Sequence, residues 1–232
     1  MPHALIVAHG QPSAPAPAEA ALAAYAAEVD VQCDGINVSA ATLASPGALE
    51  DSLQRLPRDT VIYPLFMAKG WFVTSALPKR LGDRSLRILD PLGVDVELPA
   101  LVADALQDTL AENQWDASAT DLILAAHGSG RSRNPSAVAQ GFATALAQHL
   151  TFGSMHLGFV EEPPSIADAA SDLRAQALCL PFFACTGGHV LEDVPQALNQ
   201  AGFTGKVMPV VGELPQVKSH IAATLCQAFK TS

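Results

Sequence analysis

The stretch Leu122-Ile-Leu-Ala-Ala-His127-Gly128 decides the fold, because this apolar run ending in His-Gly occurs twice in the chain. Its earlier copy is Ala4-Leu-Ile-Val-Ala-His9-Gly10. A second motif, Tyr63-Pro-Leu-Phe-Met-Ala-Lys-Gly70, returns as Leu180-Pro-Phe-Phe-Ala-Cys-Thr-Gly187, at an offset of 187 − 70 = 117 residues. The chain is therefore an internal duplication, and in each copy a predicted strand leads directly into a polar turn.

The two copies differ in the polar residues that follow their apolar runs. The second copy has His189, Glu161 and Glu162 at the positions where the first copy has Phe72, Ala44 and Ser45, respectively. A duplicated chain that keeps its polar groups in only one half predicts a single active site on a two-lobed scaffold.

Short apolar runs alternate with longer helical segments in both halves. The predicted strands are residues 4–8, 35–41, 61–65, 87–89, 122–126, 155–159, 177–181 and 206–209. The predicted helices are residues 18–29, 48–56, 74–81, 98–112, 137–150, 166–174, 190–201 and 214–229, with an ordered loop at 11–17. This alternation predicts an α/β fold with two similar lobes, each a parallel sheet with helices on both faces. The lobes are expected at residues 1–114 and 115–232, with the boundary in segment 113–120.

The bulk composition excludes several classes of protein. The chain has 232 residues, 49% of them hydrophobic, and a net charge of −10, which argues against a nucleic-acid partner because phosphate contacts need clustered Lys and Arg. No apolar run approaches the roughly 20 residues of a membrane helix, and no basic segment precedes the first strand, so neither a membrane segment nor a signal peptide is predicted. The four cysteines are scattered, as expected of reduced thiols in a cytoplasmic protein. The phosphate-binding motifs GxxxxGK[ST] and GxGxxG are absent, so nucleotide-dependent chemistry is unsupported.

Three polar side chains follow three strands of the second half. Ligands of open α/β sheets bind beyond the carboxyl ends of the strands, and parallel strands place those ends on one edge. His127 follows strand 122–126, Glu161 follows strand 155–159, and His189 lies in the glycine-rich loop after strand 177–181. We therefore expect these three groups to lie close together, with imidazole and carboxylate able to bind a divalent metal or to transfer protons.

Each of these residues also has an ordinary structural interpretation. A histidine at a strand end can simply bond a backbone carbonyl, and His189 can cap the helix that follows it, although Asp or Ser would suit that role better. Glu161 and Glu162 can be favourable charges before a helix, and of the two we favour Glu161 as the functional group. Asp193 can hold the tautomer of a histidine or be a solvated carboxylate in the first helical turn. Cys185 can be a soft ligand near His189 or a buried thiol.

Two further pairs of residues are candidates for substrate contacts. Arg131 and Arg133 follow His127 in a loop and suit the carboxylates of an acidic ligand, the alternative being a solvated loop. Trp71 and Phe72 in the first half are expected to form an apolar wall suited to a flat ligand, the alternative being core packing.

At these residues the chain resembles the sirohydrochlorin chelatase and anaerobic cobaltochelatase family, the class II tetrapyrrole chelatases. The motifs are His127-Gly-Ser, Phe159-Val-Glu161 with Pro163 soon after, and Pro181-Phe-Phe followed by Gly187-Gly-His189-Val-Leu-Glu-Asp193-Val-Pro195. Long members of the family often keep the histidine pair in the N-terminal half. Here the pair lies in the C-terminal half, as in the related protoporphyrin ferrochelatases.

The resemblance implies two flavodoxin-like lobes and a metal chelatase that needs neither ATP nor a permanent cofactor. Its members insert Co²⁺, Fe²⁺ or Ni²⁺ into an acidic modified tetrapyrrole, in siroheme or cobalamin biosynthesis. Carried over, His127, His189 and Glu161 would deliver the metal and remove the pyrrole protons, with the metal ion as a substrate. The chain is expected to act as a monomer with internal pseudo-twofold symmetry. The alternative is a non-catalytic carrier of metal or tetrapyrrole on the same scaffold.

Overall fold

The computed structural model describes residues 1–82, 84, 86–129 and 134–230. The chain forms two compact units, one made of Met1–Asp95 with Lys218–Ser232 and the other of Val96–Val217. We refer to them as unit 1 and unit 2.

Each unit contains a four-stranded parallel sheet with the same strand order. In unit 1 the strands are β1 (His3–Ala8), β2 (Asn37–Thr42), β3 (Val61–Pro64) and β4 (Arg87–Ile88), in the order β2-β1-β3-β4. In unit 2 they are β5 (Asp121–Ala126), β6 (Ser154–Phe159), β7 (Ala177–Phe182) and β8 (Lys206–Val207), in the order β6-β5-β7-β8. The predicted fold class is therefore confirmed, and the first motif of each repeat forms the second strand of its sheet.

Helices connect the strands. The α-helices are α1 (Pro15–Asp30), α2 (Ala48–Arg55), α3 (Leu77–Leu81), α4 (Leu98–Glu112), α5 (Asn134–Leu146), α6 (Ile166–Ala170), α7 (Val194–Gln200) and α8 (Pro215–Lys230). Short 3₁₀ helices lie at Leu92–Val94, Ala117–Ala119 and Val211–Glu213. Among the described helices, none has both the length and the hydropathy to cross a membrane.

Predicted helix 166–174 is shorter in the structure, where α6 ends at Ala170, and predicted helix 137–150 lies at Asn134–Leu146. Three further predicted segments differ from the structure at a proline. The expected loop at 11–17 ends early because α1 begins at Pro15, whose fixed φ suits the first helical turn. The predicted helices 74–81 and 190–201 are each split into a π-helix, Phe72–Ala76 or His189–Asp193, and a following α-helix. Pro78 and Pro195 lie just after these π-helices; a proline has no N–H to donate, so the hydrogen-bond pattern changes there.

The central strand of each sheet is buried on both faces. Every residue from Ala4 to Ala8 in β1 is at most 6% exposed, and all six residues of β5 are buried. Successive strand side chains point to opposite faces, so helices must cover both. On one face of the unit 1 sheet, Leu5 and Val7 pack against α2 and α3; on one face of the unit 2 sheet, Ile123 and Ala125 pack against α6 and α7.

The compact units do not coincide with the sequence repeats. Helix α4 is the last helix of the first repeat but lies within unit 2. Helix α8 is the last helix of the second repeat, and most of it lies within unit 1. In unit 1 the Cys33 thiol, just after α1, donates to the carbonyl of Ala222 on α8. The boundary of the sequence repeats near residue 114 therefore differs from the boundaries of the compact units, because the last helix of each repeat belongs to the unit formed mainly by the other repeat.

A buried ionic group marks the start of the unit 2 sheet. The carboxylate of Asp121 accepts from the backbone N–H of Arg174 at 2.9 Å, from the Arg174 guanidinium, and from Ser154 Oγ at 2.7 Å. The Arg174 guanidinium holds the pKa of this carboxyl well below its usual range. The equivalent residue of unit 1 is His3, whose Nε2 lies 2.8 Å from Ser39 Oγ and whose pKa is lowered by burial.

Candidate metal site at the carboxyl edge of the second sheet

The three residues expected from the sequence converge in unit 2. One ligand atom each from His127, Glu161 and His189 lies within 4.8 Å of the others, the one such group of three or more among the described residues. The two imidazole rings are 4.5 Å apart between centroids and nearly perpendicular, at 83°. The predicted convergence is confirmed, and its cause is the strand order, because β6, β5 and β7 are neighbours that end on one edge.

The site is open to solvent. The side chains of His127, Glu161 and His189 are 44%, 47% and 39% exposed, so a hydrated ion can reach all three. Two imidazoles and one carboxylate are donors that suit first-row divalent metals, and three protein ligands would leave coordination positions free for a further ligand.

A tight turn holds His127. Gly128 has a φ of +68°, and a Cβ there would come within 2.8 Å of the Glu162 carboxylate and 2.9 Å of the Phe159 side chain. Glu162 Oε1 accepts from the backbone N–H of Ser129 at 2.8 Å and so fixes the turn from outside. Glycine is required here both by the left-handed backbone and by the close approach of Glu162.

Glu161 is held beside His127 by the backbone. Its N–H donates to the carbonyl of His127 at 3.0 Å, continuing the β5–β6 pairing beyond the strands. Its Oε2 lies 3.9 Å from His127 Nδ1. The two neighbouring glutamates therefore have separate places: Glu161 belongs to the cluster of three, whereas Glu162 binds the turn.

His189 begins a π-helix in which the N–H of Val194 donates to its carbonyl. Single π turns are uncommon and are frequent at functional sites. The loop before it is fixed by Glu213, whose carboxylate accepts from the backbone N–H of Thr186 at 2.7 Å and from its hydroxyl at 2.9 Å. At the other end, Asp193 Oδ2 lies 2.7 Å from His189 Nδ1, which confirms contact between Asp193 and a histidine.

The sequence also suggested Cys185, Arg131 and Arg133 as candidate site residues. Cys185 is partly buried, and desolvation together with Glu213 raises the pKa of its thiol to about 12, which favours a neutral thiol over a thiolate metal ligand. Arg131 and Arg133 fall in segment 130–133, outside the described residues, so their substrate contact stays a prediction.

The carboxyl edge of the unit 1 sheet carries aromatic rings instead. The rings of His9 and Phe72 are 4.3 Å apart between centroids, and Trp71 packs edge-on against Phe72 at 5.2 Å. Trp71 is 66% exposed and Phe72 36%, which excludes core packing for Trp71 and shows an exposed aromatic surface. The contact of this surface with a flat ligand stays a prediction. Phe72 begins its π-helix as His189 begins the other, in agreement with the repeat alignment.

Sequence reasoning missed the groups that support the site. Glu213 lies 24 residues after His189 in the sequence and in no motif, so only the folded chain reveals that it fixes the loop before the histidine. The role of Glu162 had a partial signal, because a glycine after a strand often needs a positive φ and hence a close neighbour.

Comparison with known proteins places the chain in a family. The CbiX family profile matches residues 3–109 and 121–228, once for each repeat. One similar solved structure is that of CbiX, "the terminal enzyme for biosynthesis of siroheme in denitrifying bacteria": it is 48% identical, with a TM-score of 0.87, over 97% of this chain and 99% of that one. No curated protein matches the chain.

Two more distant structures share the fold. SirB from Bacillus subtilis, solved with Fe³⁺, is 14% identical with a TM-score of 0.73, over 100% of this chain and 98% of that one. DR2241 from Deinococcus radiodurans, a multi-domain protein similar to chelatases, is 23% identical with a TM-score of 0.71, over 97% of this chain and 54% of that one. With the family profile covering both repeats and a relative 48% identical over nearly the whole length, the chain belongs to the CbiX family of chelatases, as its histidine motifs predict.

Proposed function

We propose that the protein inserts a divalent metal ion into an acidic modified tetrapyrrole of the sirohydrochlorin type, without ATP. The observation that carries this proposal is the convergence of His127, Glu161 and His189 at one open sheet edge. Membership of the CbiX family supports it, as does the 48% identity to an enzyme of siroheme biosynthesis.

The reaction makes two chemical demands that these groups can meet. The metal must exchange water for the ring nitrogens, and two pyrrole N–H protons must leave. Neutral imidazoles hold a first-row metal while keeping positions open, so His127 and His189 would deliver the ion. Glu161, which lies 3.9 Å from His127, would accept or relay the protons.

The identity of the metal is part of the proposal. Imidazole and carboxylate donors accept Co²⁺, Fe²⁺ and Ni²⁺ alike. Siroheme is an iron tetrapyrrole, so the relationship to an enzyme of siroheme biosynthesis favours Fe²⁺ among the three. Arg131 and Arg133 would pair with substrate carboxylates, and the monomeric state and cytoplasmic location expected from the sequence belong to the same proposal.

A metal-insertion assay tests the function directly. Purified protein is mixed anaerobically with sirohydrochlorin and Fe²⁺, Co²⁺ or Ni²⁺, and the change in the macrocycle absorbance is compared with the non-enzymatic rate. We expect many turnovers per protein without ATP and a loss of the catalysed rate in His189→Ala. A spectral change that stops at one equivalent per protein would favour the carrier alternative, and no acceleration with any of the three metals would overturn the proposal.

A further inference from the structure

Both histidines of the site have an acceptor at the same ring atom. His127 Nδ1 lies 2.9 Å from the carbonyl oxygen of Gly128, and His189 Nδ1 lies 2.7 Å from Asp193 Oδ2. Carbonyl and carboxylate oxygens only accept hydrogen bonds, so in the neutral rings Nδ1 carries the proton in both residues. The lone pair that can bind a metal is then on Nε2 of each ring.

We propose that Asp193 is a positioning residue of the metal site. By accepting the Nδ1 proton it fixes His189 in the Nδ1–H tautomer and keeps Nε2 available to the ion that His127 and Glu161 also bind. The effect on metal insertion rests on the proposed function, whereas the tautomer and the metal affinity are properties of the protein alone.

The internal repeat separates this role from a role in folding. In unit 1 the same π-helix forms with Phe72 in place of His189 and Ala76 in place of Asp193. A carboxylate at the last position is therefore not needed to build the π-helix. The first copy lacks the histidine and the acid together while keeping the backbone, as expected if the acid acts only through the histidine.

The location of Asp193 makes its removal structurally mild. Its side chain is 48% exposed and that of His189 39%, so their contact is partly solvated and contributes little to stability. The backbone before His189 has its own support in the two hydrogen bonds from Thr186 to Glu213. An Asp193→Ala variant should therefore fold and retain its π-helix.

Histidine NMR of the metal-free protein tests the tautomer. Long-range ¹H–¹⁵N correlations at about pH 8.5, where an unperturbed imidazole is neutral, report which ring nitrogen is protonated. The His189 signals are assigned from their absence in His189→Gln. We expect the Nδ1–H form in the wild type and in Glu192→Ala, which truncates the adjacent exposed carboxylate, and a shift toward Nε2–H, the favoured form of a histidine side chain in water, in Asp193→Ala.

Co²⁺ titration without a macrocycle tests the consequence. Loss of such a supporting partner weakens metal binding by about 10- to 100-fold, so Asp193→Ala should bind Co²⁺ that much more weakly, with Glu192→Ala close to the wild type. In a His189→Ala background, adding Asp193→Ala should change the affinity no further, because the two residues act as one unit.

The outcomes separate this inference from the proposed function. An unchanged His189 tautomer in Asp193→Ala, or equal weakening by Asp193→Ala and Glu192→Ala, would overturn the inference and leave a general charge effect. A wild type that shows the Nδ1–H tautomer and Asp193-dependent Co²⁺ binding, yet inserts no metal, would overturn the proposed function and leave the inference standing.

Discussion

The carboxyl edges of the two sheets have the same backbone and different chemistry. In unit 1 the ring of His9 lies 4.3 Å from that of Phe72; in unit 2 the ring of His127 lies 4.5 Å from that of His189. The first ring of each pair follows a central strand, and the second begins a π-helix. The backbone thus places two rings side by side in both units, and the identity of the side chains determines whether the ring pair can bind a metal.

The same contrast holds for the carboxylate. The N–H of Glu161 donates to the carbonyl of His127 at 3.0 Å, and the N–H of Ala44 donates to that of His9 at 2.8 Å. Equivalent backbone positions therefore carry a metal-binding group in one unit and a methyl group in the other. Three side chains, Glu161, His189 and Asp193, therefore account for the difference between an open polar site and an aromatic surface.

The largest effect should come from making unit 2 resemble unit 1. His189→Phe reproduces the first copy and should lower catalysed metal insertion on the order of 100-fold or more, because a ligand and proton-transfer group is lost. His127→Ala should also weaken insertion strongly. His9→Ala is the matched control, since it removes the equivalent ring of unit 1. Equal losses from His9→Ala and His127→Ala, in proteins that remain folded, would refute the assignment to unit 2.

A smaller effect should distinguish the two neighbouring glutamates. Glu161→Gln removes the carboxylate charge beside His127 and should reduce metal insertion by about 10-fold or more, through weaker metal binding or proton transfer. Glu162→Gln leaves an amide oxygen to accept from the Ser129 N–H and should reduce it less. Initial rates at limiting metal report weaker metal binding, and initial rates at saturating metal and macrocycle report slower proton transfer. A greater loss of the insertion rate in Glu162→Gln than in Glu161→Gln would assign the functional carboxylate to Glu162.

A transplant should give unit 1 part of the missing chemistry. The triple variant Ala44→Glu, Phe72→His and Ala76→Asp places the three side chains on equivalent backbone positions beside His9. Equilibrium dialysis should then detect a second bound Co²⁺ per chain. Its affinity should be lower than that of the native site, because Lys69 stands where Thr186 binds Glu213 in unit 2. Unchanged stoichiometry in the folded variant would show that more than these side chains separates the two edges.

The smallest expected effect concerns acid stability at the opposite ends of the sheets. The pKa of Asp121 is depressed in the folded state by Arg174, so its contribution to stability is present above its unfolded pKa of about 3.9 and is lost as the pH falls through the folded value. Asp121→Asn should therefore destabilise unit 2 at neutral pH, with a difference from the wild type that narrows below about pH 4.

The fluorescence of Trp115 measures this effect, because it is the tryptophan of unit 2. Urea unfolding is followed in a Trp71→Phe background, with and without Asp121→Asn, between about pH 3 and 7. A difference between the two proteins that stays constant across this range would exclude Asp121 as the source of the acid sensitivity.

Most of the fold and of the metal site could be predicted from the internal repeat and from the polar residues at the ends of its strands. All eight predicted strands are present, and the parallel α/β fold and the convergence of His127, Glu161 and His189 follow from apolar runs and strand polarity. The chelatase type of this fold came from the resemblance of the histidine motifs. The exchange of α4 and α8 between the compact units was not predictable, because each helix has the same apolar pattern whichever sheet it covers. The role of Glu213 was not predictable either, because its hydrogen bonds with Thr186 depend on how two segments distant in sequence fold together.

The most direct test of a single site in unit 2 is the stoichiometry of Co²⁺ binding. Equilibrium dialysis is performed on the wild type, His189→Ala and His9→Ala, with folding checked by circular dichroism. The predicted result is one Co²⁺ per chain in the wild type and in His9→Ala, with a much weaker affinity in His189→Ala. Undiminished binding in His189→Ala, or loss of the ion in His9→Ala, would contradict the account.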